Sequence, residues 1–310
     1  MKVATTAPPE LLPLVRARGA DYLELIRPRV TLLVLFTVAC GALLGSGGFP
    51  NPADLLHVLA GTALVAAGAS ALNQFFERHT DAQMLRTENR PLPAGRLLPL
   101  EVVIFGLTAG AVGLAYLAIM LRQPTAALVA AVTFATYVLL YTPLKRVTPL
   151  NTLVGAVPGA LPPVIGWAAL HGSIGWGGAA LFLILFLWQV PHFLAIAWIY
   201  RDDYARAGMA MLPVIDRNGT RTGRQMVLYC VVLIPASLLP AALGLAGPVY
   251  LVGATLLGCG FLASAVTFNR AGSIPQARRV LRASLVYLPA LLALLLADGF
   301  ATPVALALWP

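Results

Sequence analysis

The sequence has little charge. Of its 310 residues, 11% are Asp, Glu, Lys or Arg, whereas 59% are hydrophobic. A typical soluble domain carries about 25% charged residues, so this chain has less than half of the charge that a water-facing surface needs. This shortage excludes an ordinary soluble domain and predicts an integral membrane protein.

Cysteine is also scarce. The three cysteines, Cys40, Cys230 and Cys259, lie within apolar stretches and form no CxxC pair. We therefore expect neither a disulfide framework nor a zinc site. We interpret all three as small residues of the protein core.

Long apolar runs, in contrast, fill most of the chain. A bilayer core about 30 Å thick is crossed by roughly 20 apolar helical residues, and runs of that size predict an all-α protein with nine transmembrane helices. The runs span residues 30–47, 55–76, 100–121, 125–141, 151–170, 174–200, 226–245, 249–268 and 284–305. Residues 1–29 lack a cleavable signal pattern, so we expect a cytoplasmic lead-in followed by a single transmembrane domain over residues 30–310.

Acidic residues are outnumbered by basic residues, 12 to 21, which leaves a formal net charge of +9. In a soluble protein this excess would suggest nucleic-acid binding. When the basic residues are assigned to alternate sides of nine spans, all except Arg122 fall on the side of the N-terminus. The positive-inside rule then predicts a cytoplasmic or matrix-facing N-terminus and no nucleic-acid partner.

Three polar residues mark the end of the second apolar run. Asn73, Glu77 and Asp81 are spaced i, i+4 and i+8, so they share one face of a helix. Their oxygen atoms suit Mg²⁺, and Arg86 and Arg90 follow directly with guanidinium groups that bind phosphate. The alternative is a helix end whose charges are solvated and pair locally. An amide on the bilayer side of an apolar helix is costly without a partner, which favours a metal–diphosphate site.

A second acidic pair, Asp202 and Asp203, follows the sixth run on the same predicted side. Asp203 is a further candidate metal ligand. Ala207 stands where a D-x-x-x-D motif would have its second carboxylate, which weakens this reading. Ordinary pairing with Arg201 and Arg206 is the alternative.

His192 lies within the sixth apolar run, directly after Pro191. Such a histidine is commonly a hydrogen-bonded core residue, here with Gln189 as the candidate partner. The functional alternative is an imidazole that faces a cavity, as a proton donor or as a ligand of haem iron. Nearby aromatic residues could line an apolar channel, although aromatic side chains are common near membrane interfaces. They are Trp188, Phe193, Trp198 and Tyr200.

Lys145 and Arg146 lie between the fourth and fifth runs. They could bind a diphosphate or a carboxylate, but a basic pair in an inside loop commonly serves only to fix topology. The fifth run is rich in Gly and Pro, which predicts a broken helix, and broken helices are tolerated at membrane depth where they line a cavity.

Residues 73–92 together resemble the first signature of the UbiA superfamily of intramembrane prenyltransferases. Residues 141–146, 159–167, 188–193 and 203–213 resemble the haem-modifying branch of that superfamily. The missing second D-x-x-x-D distinguishes this chain from the quinone and chlorophyll branches. The resemblance extends from about residue 20 to the last span.

The resemblance implies nine helices around a central cavity, with farnesyl diphosphate and haem B as substrates, haem O as the product and Mg²⁺ as the cofactor. The implied catalytic residues are Asn73, Glu77, Asp81, Arg86, Arg90, Lys145 and His192, with Glu77 and Asp81 holding Mg²⁺ through the diphosphate. The candidate substrate-binding residues are Tyr141, Arg146, Trp188, Gln189, Asp202, Asp203 and Tyr204.

Three other functions stay open at this point. One is a non-catalytic oxidase subunit or haem carrier, which would leave the Asn73 face unexplained. A prenyltransferase for an aromatic quinone precursor would use similar diphosphate chemistry. A secondary transporter is disfavoured because its binding site would lie near the bilayer midplane, whereas the charged groups here crowd one face. We expect a multi-pass protein of a bacterial inner membrane, surrounded by lipid, with a cytoplasm-facing active site. Haem A synthase and terminal oxidase assemblies are candidate partners.

Overall fold

The computed structural model describes the backbone of residues 11–121 and 123–301, and the side chains from residue 17 onward within those ranges. All regular structure in these ranges is helical. The helices are α1 (Leu11–Leu25), α2 (Pro28–Gly45), α3 (Pro52–Asp81), α4 (Pro99–Met120), α5 (Pro124–Ala135), a π-helical turn (Thr136–Tyr141), α6 (Thr142–Leu144), α7 (Asn151–Ala160), α8 (Pro162–His171), α9 (Gly175–Ile199), α10 (Arg201–Arg206), α11 (Leu212–Ile215), α12 (Thr220–Ala242), α13 (Pro248–Ala271) and α14 (Ile274–Ala301).

Within the described ranges, nine helical segments are long and apolar enough to cross a membrane. The nine predicted transmembrane helices are thereby confirmed. The fourth segment consists of α5, the π-helical turn and α6, and the fifth consists of α7 and α8. Lys2, Arg122 and the end of the last predicted run lie outside the described residues, and the cytoplasmic N-terminus stays a prediction.

Several helices extend beyond their predicted ends. Helix α3 continues past residue 76 to Asp81, and α14 starts at Ile274 rather than at residue 284. Apolar runs detect only the part of a helix in the hydrocarbon, whereas a helix can continue through the polar interface, where its charged side chains reach water. The extension of α3 is what places Glu77 and Asp81 on a helix.

The predicted break in the fifth span is confirmed. Helix α7 ends at Ala160, and Pro162 opens α8, where the missing N–H of proline is tolerated. Helix α7 packs against α9 and the π-helical turn, whereas α8 packs against α2. A Cβ on Gly166 of α8 would lie 2.8 Å from the backbone nitrogen of Ala42, so glycine permits this close contact.

The apolar interior has two main parts. One part is formed mainly by α9, α12, α13 and α14, with some residues of α2, α7 and α8. The other joins α2, α3, α4, α5 and α8. A smaller cluster joins the two long loops that follow α3 and α9. It consists of Met84, Ala197, Ala207, Met209 and Met211. This cluster holds both loops over the same end of the helix bundle.

The cysteines are free, as predicted, but the core assignment was wrong for one of them. Cys40 and Cys230 are buried, whereas Cys259 is exposed. An apolar sequence does not separate these cases, because the lipid-facing side of a transmembrane helix is as apolar as its packed side.

Candidate functional site

The last three turns of α3 carry the predicted polar face. Asn73 and Asp81 are 0% exposed and Glu77 is 7% exposed, so the face is turned into the protein. The Asn73 side-chain amide donates a hydrogen bond to the Thr142 hydroxyl at 3.1 Å. Thr142 in turn donates to the Tyr137 carbonyl at 2.9 Å. The polar face of α3 is therefore joined to the π-helical end of the fourth span.

Each carboxylate on this face has one basic partner. The Lys145 ammonium donates to Glu77 Oε1 at 2.5 Å, and the Arg90 guanidinium donates to Asp81 Oδ2 at 2.6 Å. The Lys145 nitrogen also lies 4.4 Å from the centroid of the Tyr141 ring. The charges do pair locally, as the alternative interpretation required, but they do so in a buried site rather than in water.

The surroundings change the pKa values of the basic residues in the loops. Burial acts to lower the pKa of Lys145, but the adjacent Glu77 carboxylate outweighs it and raises that pKa above its usual value. Burial and then the nearby Arg27 charge lower the pKa of Arg90. Lys145 stays protonated at neutral pH because its pKa is raised. Arg90 also stays protonated, because the ordinary pKa of arginine is far above 7. The site therefore contains two cations, each paired with a carboxylate of α3.

Two oxygen atoms of the site have no hydrogen-bond partner. Asn73 Oδ1 and Asp81 Oδ1 are buried and unpaired among the described residues. Leaving such an atom unpaired costs about 1–3 kcal/mol, so both positions suit a further polar ligand. The described residues contain no group of three or more His, Cys, Asp or Glu side chains that could hold a metal alone. Two carboxylates and an amide fit Mg²⁺, which takes its remaining ligands from water and substrate phosphates.

A cavity of about 280 Å³ opens beside this face. Its polar lining comes from Glu77, Thr80, Thr142, Lys145 and Arg146. A larger groove of about 610 Å³ lies elsewhere, along α4 near Tyr22 and Glu101. Neither Glu77 nor Asp81 lines it. The smaller cavity is thus the one that combines apolar walls with convergent charges.

Arg86 joins the first long loop to the second. Its guanidinium donates to the Tyr204 hydroxyl at 3.1 Å and lies 4.7 Å from the centroid of the Tyr200 ring. Burial acts to lower the pKa of Arg86, but Tyr204 and Asp203 are among the neighbours that raise it overall. Arg86 therefore remains a cation at the contact between the loops.

The second acidic pair is arranged differently from the first. Asp203 forms an ion pair with Arg206 one turn later, as the pairing alternative predicted. The Asp202 side chain is 95% exposed and only approaches Arg201, at 3.8 Å. Asp203 is not grouped with Glu77 and Asp81 in the described structure, and its role as a metal ligand stays a prediction.

The histidine of the sixth span lies in a separate environment. His192 Nδ1 is 2.8 Å from the Ser284 hydroxyl of α14, and the His192 ring stacks on Trp188 with centroids 4.9 Å apart. The expected bond to Gln189 is wrong, because that amide donates to the backbone carbonyls of Leu185 and Ala156. His192, Trp188 and Gln189 are not among the residues that line the 280 Å³ cavity.

Arg27 is a candidate site residue that the sequence does not single out. It has a positive φ of 51°, rare for a residue other than glycine, and its Nε atom is buried without a hydrogen-bond partner among the described residues. Its charge is close enough to Arg90 to lower the pKa of that side chain. In the sequence Arg27 is only one of the basic residues before the first apolar run, and nothing there indicates that its Nε atom is buried.

Comparison with known proteins gives a consistent family. The model of the UbiA prenyltransferase family matches residues 34–286. A relative in Solibacter usitatus, named protoheme IX farnesyltransferase, is 46% identical over 287 residues, which cover 90% of this chain and 98% of the relative.

Two solved structures share the fold. The structure of a digeranylgeranylglyceryl phosphate synthase has a TM-score of 0.77 at 19% identity and covers 91% of this chain and 99% of its own. A UbiA homologue from Archaeoglobus fulgidus bound to GPP and Mg²⁺ has a TM-score of 0.62 at 18% identity, with 91% and 98% covered.

Proposed function

The chain belongs to the UbiA prenyltransferase family, and we propose that it transfers the farnesyl group of farnesyl diphosphate to a vinyl group of haem B. Water adds in the same reaction, and the products are haem O and diphosphate. The observation that carries prenyl transfer is the buried face of Asn73, Glu77 and Asp81 with paired cations beside it. The haem acceptor is supported by the name of the Solibacter usitatus relative.

The diphosphate of the substrate would bind at the polar face of α3. Glu77 and Asp81, with the free oxygen of Asn73, would hold Mg²⁺ against the diphosphate. Bound there, Mg²⁺ would neutralise charge on the leaving group. Lys145, Arg90 and Arg86 would donate hydrogen bonds to phosphate oxygens as the carbon–oxygen bond breaks.

The two buried ion pairs balance the charges of the site. Glu77 and Lys145 neutralise each other, as do Asp81 and Arg90. When a metal and a diphosphate enter together, each carboxylate can turn to the metal and each cation to a phosphate. Neither ligand alone permits both exchanges, so the two ligands favour each other's binding.

The acceptor end needs an apolar environment. Loss of diphosphate leaves an allylic farnesyl cation, which the electron pair of a haem vinyl group attacks to form the new carbon–carbon bond. Water adds to the resulting cation on the haem side chain and loses a proton, which leaves a hydroxyl group. The first cation must be kept from water until the vinyl group attacks it. Phe76 and Val147 are among the apolar residues that line the cavity. Arg146 is the candidate partner for a haem propionate.

One assay tests the proposed function. Membranes that contain the protein are incubated with haem B, farnesyl diphosphate and Mg²⁺. The haem is then extracted and analysed by mass spectrometry. We expect a farnesylated, hydrated haem that disappears when EDTA removes the metal. Product formed from a hydroxybenzoate in place of haem B would instead support the quinone-precursor alternative. Counterflow of a solute without any new product would support a transporter.

Arg27 allows a test in which stability and substrate affinity separate. Both Arg27→Gly and Arg27→Ala remove the guanidinium. We expect the KM for farnesyl diphosphate to rise about tenfold, because the diphosphate loses a hydrogen bond from a charged donor. Only glycine adopts a φ of 51° without strain. The Gly variant should therefore be about 1 kcal/mol more stable to unfolding than the Ala variant. Unchanged KM in both variants would remove Arg27 from the diphosphate site.

The protein is a multi-pass membrane protein. We place it in a bacterial inner membrane with the diphosphate site toward the cytoplasm, since basic loops lie on that predicted side. Haem A synthase or a terminal oxidase assembly would receive the product.

A further inference from the structure

The sixth and ninth spans share a histidine–serine pair whose proton positions follow from its hydrogen bonds. The Ser284 hydroxyl lies 2.7 Å from the Leu281 carbonyl oxygen. A carbonyl can only accept, so the single hydroxyl proton of Ser284 is used in that bond. The 2.8 Å contact between Ser284 Oγ and His192 Nδ1 then requires the histidine to donate. His192 therefore carries its proton on Nδ1, and Nε2 keeps a free lone pair.

A second hydrogen bond fixes the orientation of this pair. The Trp188 indole donates to the Ser284 backbone carbonyl at 2.9 Å and stacks on the His192 ring at an interplanar angle of 24°. Ser284 thus anchors both the imidazole and the indole that covers it. His192 is mostly buried but keeps some exposed surface, and its Nε2 has no hydrogen-bond partner in the described part of the chain.

We propose that Ser284 is a positioning residue that holds His192 in the Nδ1-protonated form, so that Nε2 binds the iron of the haem substrate. A metal-binding histidine almost always donates its second ring N–H to a nearby acceptor, which fixes the tautomer and the ring orientation. Imidazole nitrogen is also an ordinary axial ligand of haem iron. The assignment rests on the proposed haem acceptor, but it concerns haem binding and not the transfer step.

Haem binding and diphosphate binding are separable on this arrangement. Neither His192 nor Ser284 lines the cavity beside Glu77, and both lie on helices of the apolar part formed mainly by α9, α12, α13 and α14. A change at Ser284 should therefore weaken the haem complex without weakening farnesyl diphosphate binding. A general loss of structure would weaken both.

The experiment titrates the purified full-length protein in lipid nanodiscs with ferric haem B and follows its absorption and electron paramagnetic resonance spectra. For the wild type we expect an imidazole-ligated iron. Ser284→Ala should weaken haem affinity about 10- to 100-fold, the usual effect of losing the partner of a metal-bound histidine. Ser284→Thr, which keeps a hydroxyl, should restore most of the affinity. His192→Gly should lose the imidazole spectrum and regain it when imidazole is added.

Ser264→Ala is the matched control. Ser264 also bonds the carbonyl three residues earlier in its helix, at 2.6 Å from Phe261, but it does not contact His192. This variant should bind haem as the wild type does, and all variants should keep their affinity for farnesyl diphosphate in calorimetry.

Three results would overturn the proposal. They are an imidazole spectrum that survives in His192→Gly without added imidazole, full haem affinity in Ser284→Ala, and equal losses of haem and farnesyl diphosphate binding in Ser284→Ala. A wild-type protein that binds farnesyl diphosphate but no haem would instead contradict the proposed acceptor.

Discussion

Replacing Asp81 with asparagine is expected to lower the rate of farnesyl transfer about 10³-fold, because a metal-binding negative charge is lost while the shape of the side chain is kept. The amide oxygen can still accept the hydrogen bond that Arg90 now donates at 2.6 Å. Arg90 loses a charged partner, but it keeps this hydrogen bond and is 22% exposed, so the fold should remain. The defect should appear in kcat/KM for farnesyl diphosphate. The same variant should bind diphosphate no more tightly when Mg²⁺ is added, whereas the wild type should gain affinity.

Asp298→Asn is the control for this result. Asp298 is also a buried carboxylate in a transmembrane helix, and it accepts a hydrogen bond from the Tyr250 backbone at 2.9 Å. It makes no contact with the polar face of α3, so its substitution should leave the transfer rate near that of the wild type. Undiminished transfer by the Asp81→Asn variant would contradict the metal assignment.

Replacing Lys145 with methionine should strongly destabilise the protein even before substrate is considered. The Lys145 and Glu77 side chains are 15% and 9% exposed and lie 2.5 Å apart. Removing one partner of a buried ion pair leaves the other charge buried and unpaired, which costs about 3–5 kcal/mol. The midpoint of thermal unfolding in detergent should fall accordingly.

A double variant separates this effect from ordinary loss of packing. Combining Lys145→Met with Glu77→Gln removes both charges, and replacing both members of a buried pair is often nearly neutral. The double variant should therefore unfold at a higher temperature than Lys145→Met alone, although neither should catalyse transfer. Arg146→Met is the control, because Arg146 lines the same cavity but has no salt bridge among the described residues. Equal destabilisation of the single and double variants would show that the ion pair contributes little.

The parts of the site that could be predicted involve residues close to one another in the sequence. The helical period alone places Asn73, Glu77 and Asp81 on one face, and the structure has that face buried. The pairing of Asp203 with Arg206 could also be predicted, because the two residues are one helical turn apart. Such relations depend on helix geometry, which is the same in every α-helix.

Partners distant in sequence could not be predicted in the same way. Lys145 and Glu77 are 68 residues apart, and His192 and Ser284 are 92 residues apart. Which side chains meet over such distances depends on how the helices pack, and apolar composition does not specify that packing. For the same reason the sequence suggested Gln189 as the partner of His192, and it did not reveal that the Nε atom of Arg27 is buried.

By itself, the sequence determined the membrane environment, the number of spans, the break in the fifth span and the polar face of α3. Those properties follow from hydropathy, from proline and from helical periodicity, which act within about 20 residues. Only the tertiary structure decided that each carboxylate of α3 has its own cation, that Arg27 approaches them with a strained backbone, and that Ser284 holds His192. In a bilayer, lipid-facing and packed surfaces are equally apolar, so the contacts that build the site come from close packing and hydrogen bonding between helices.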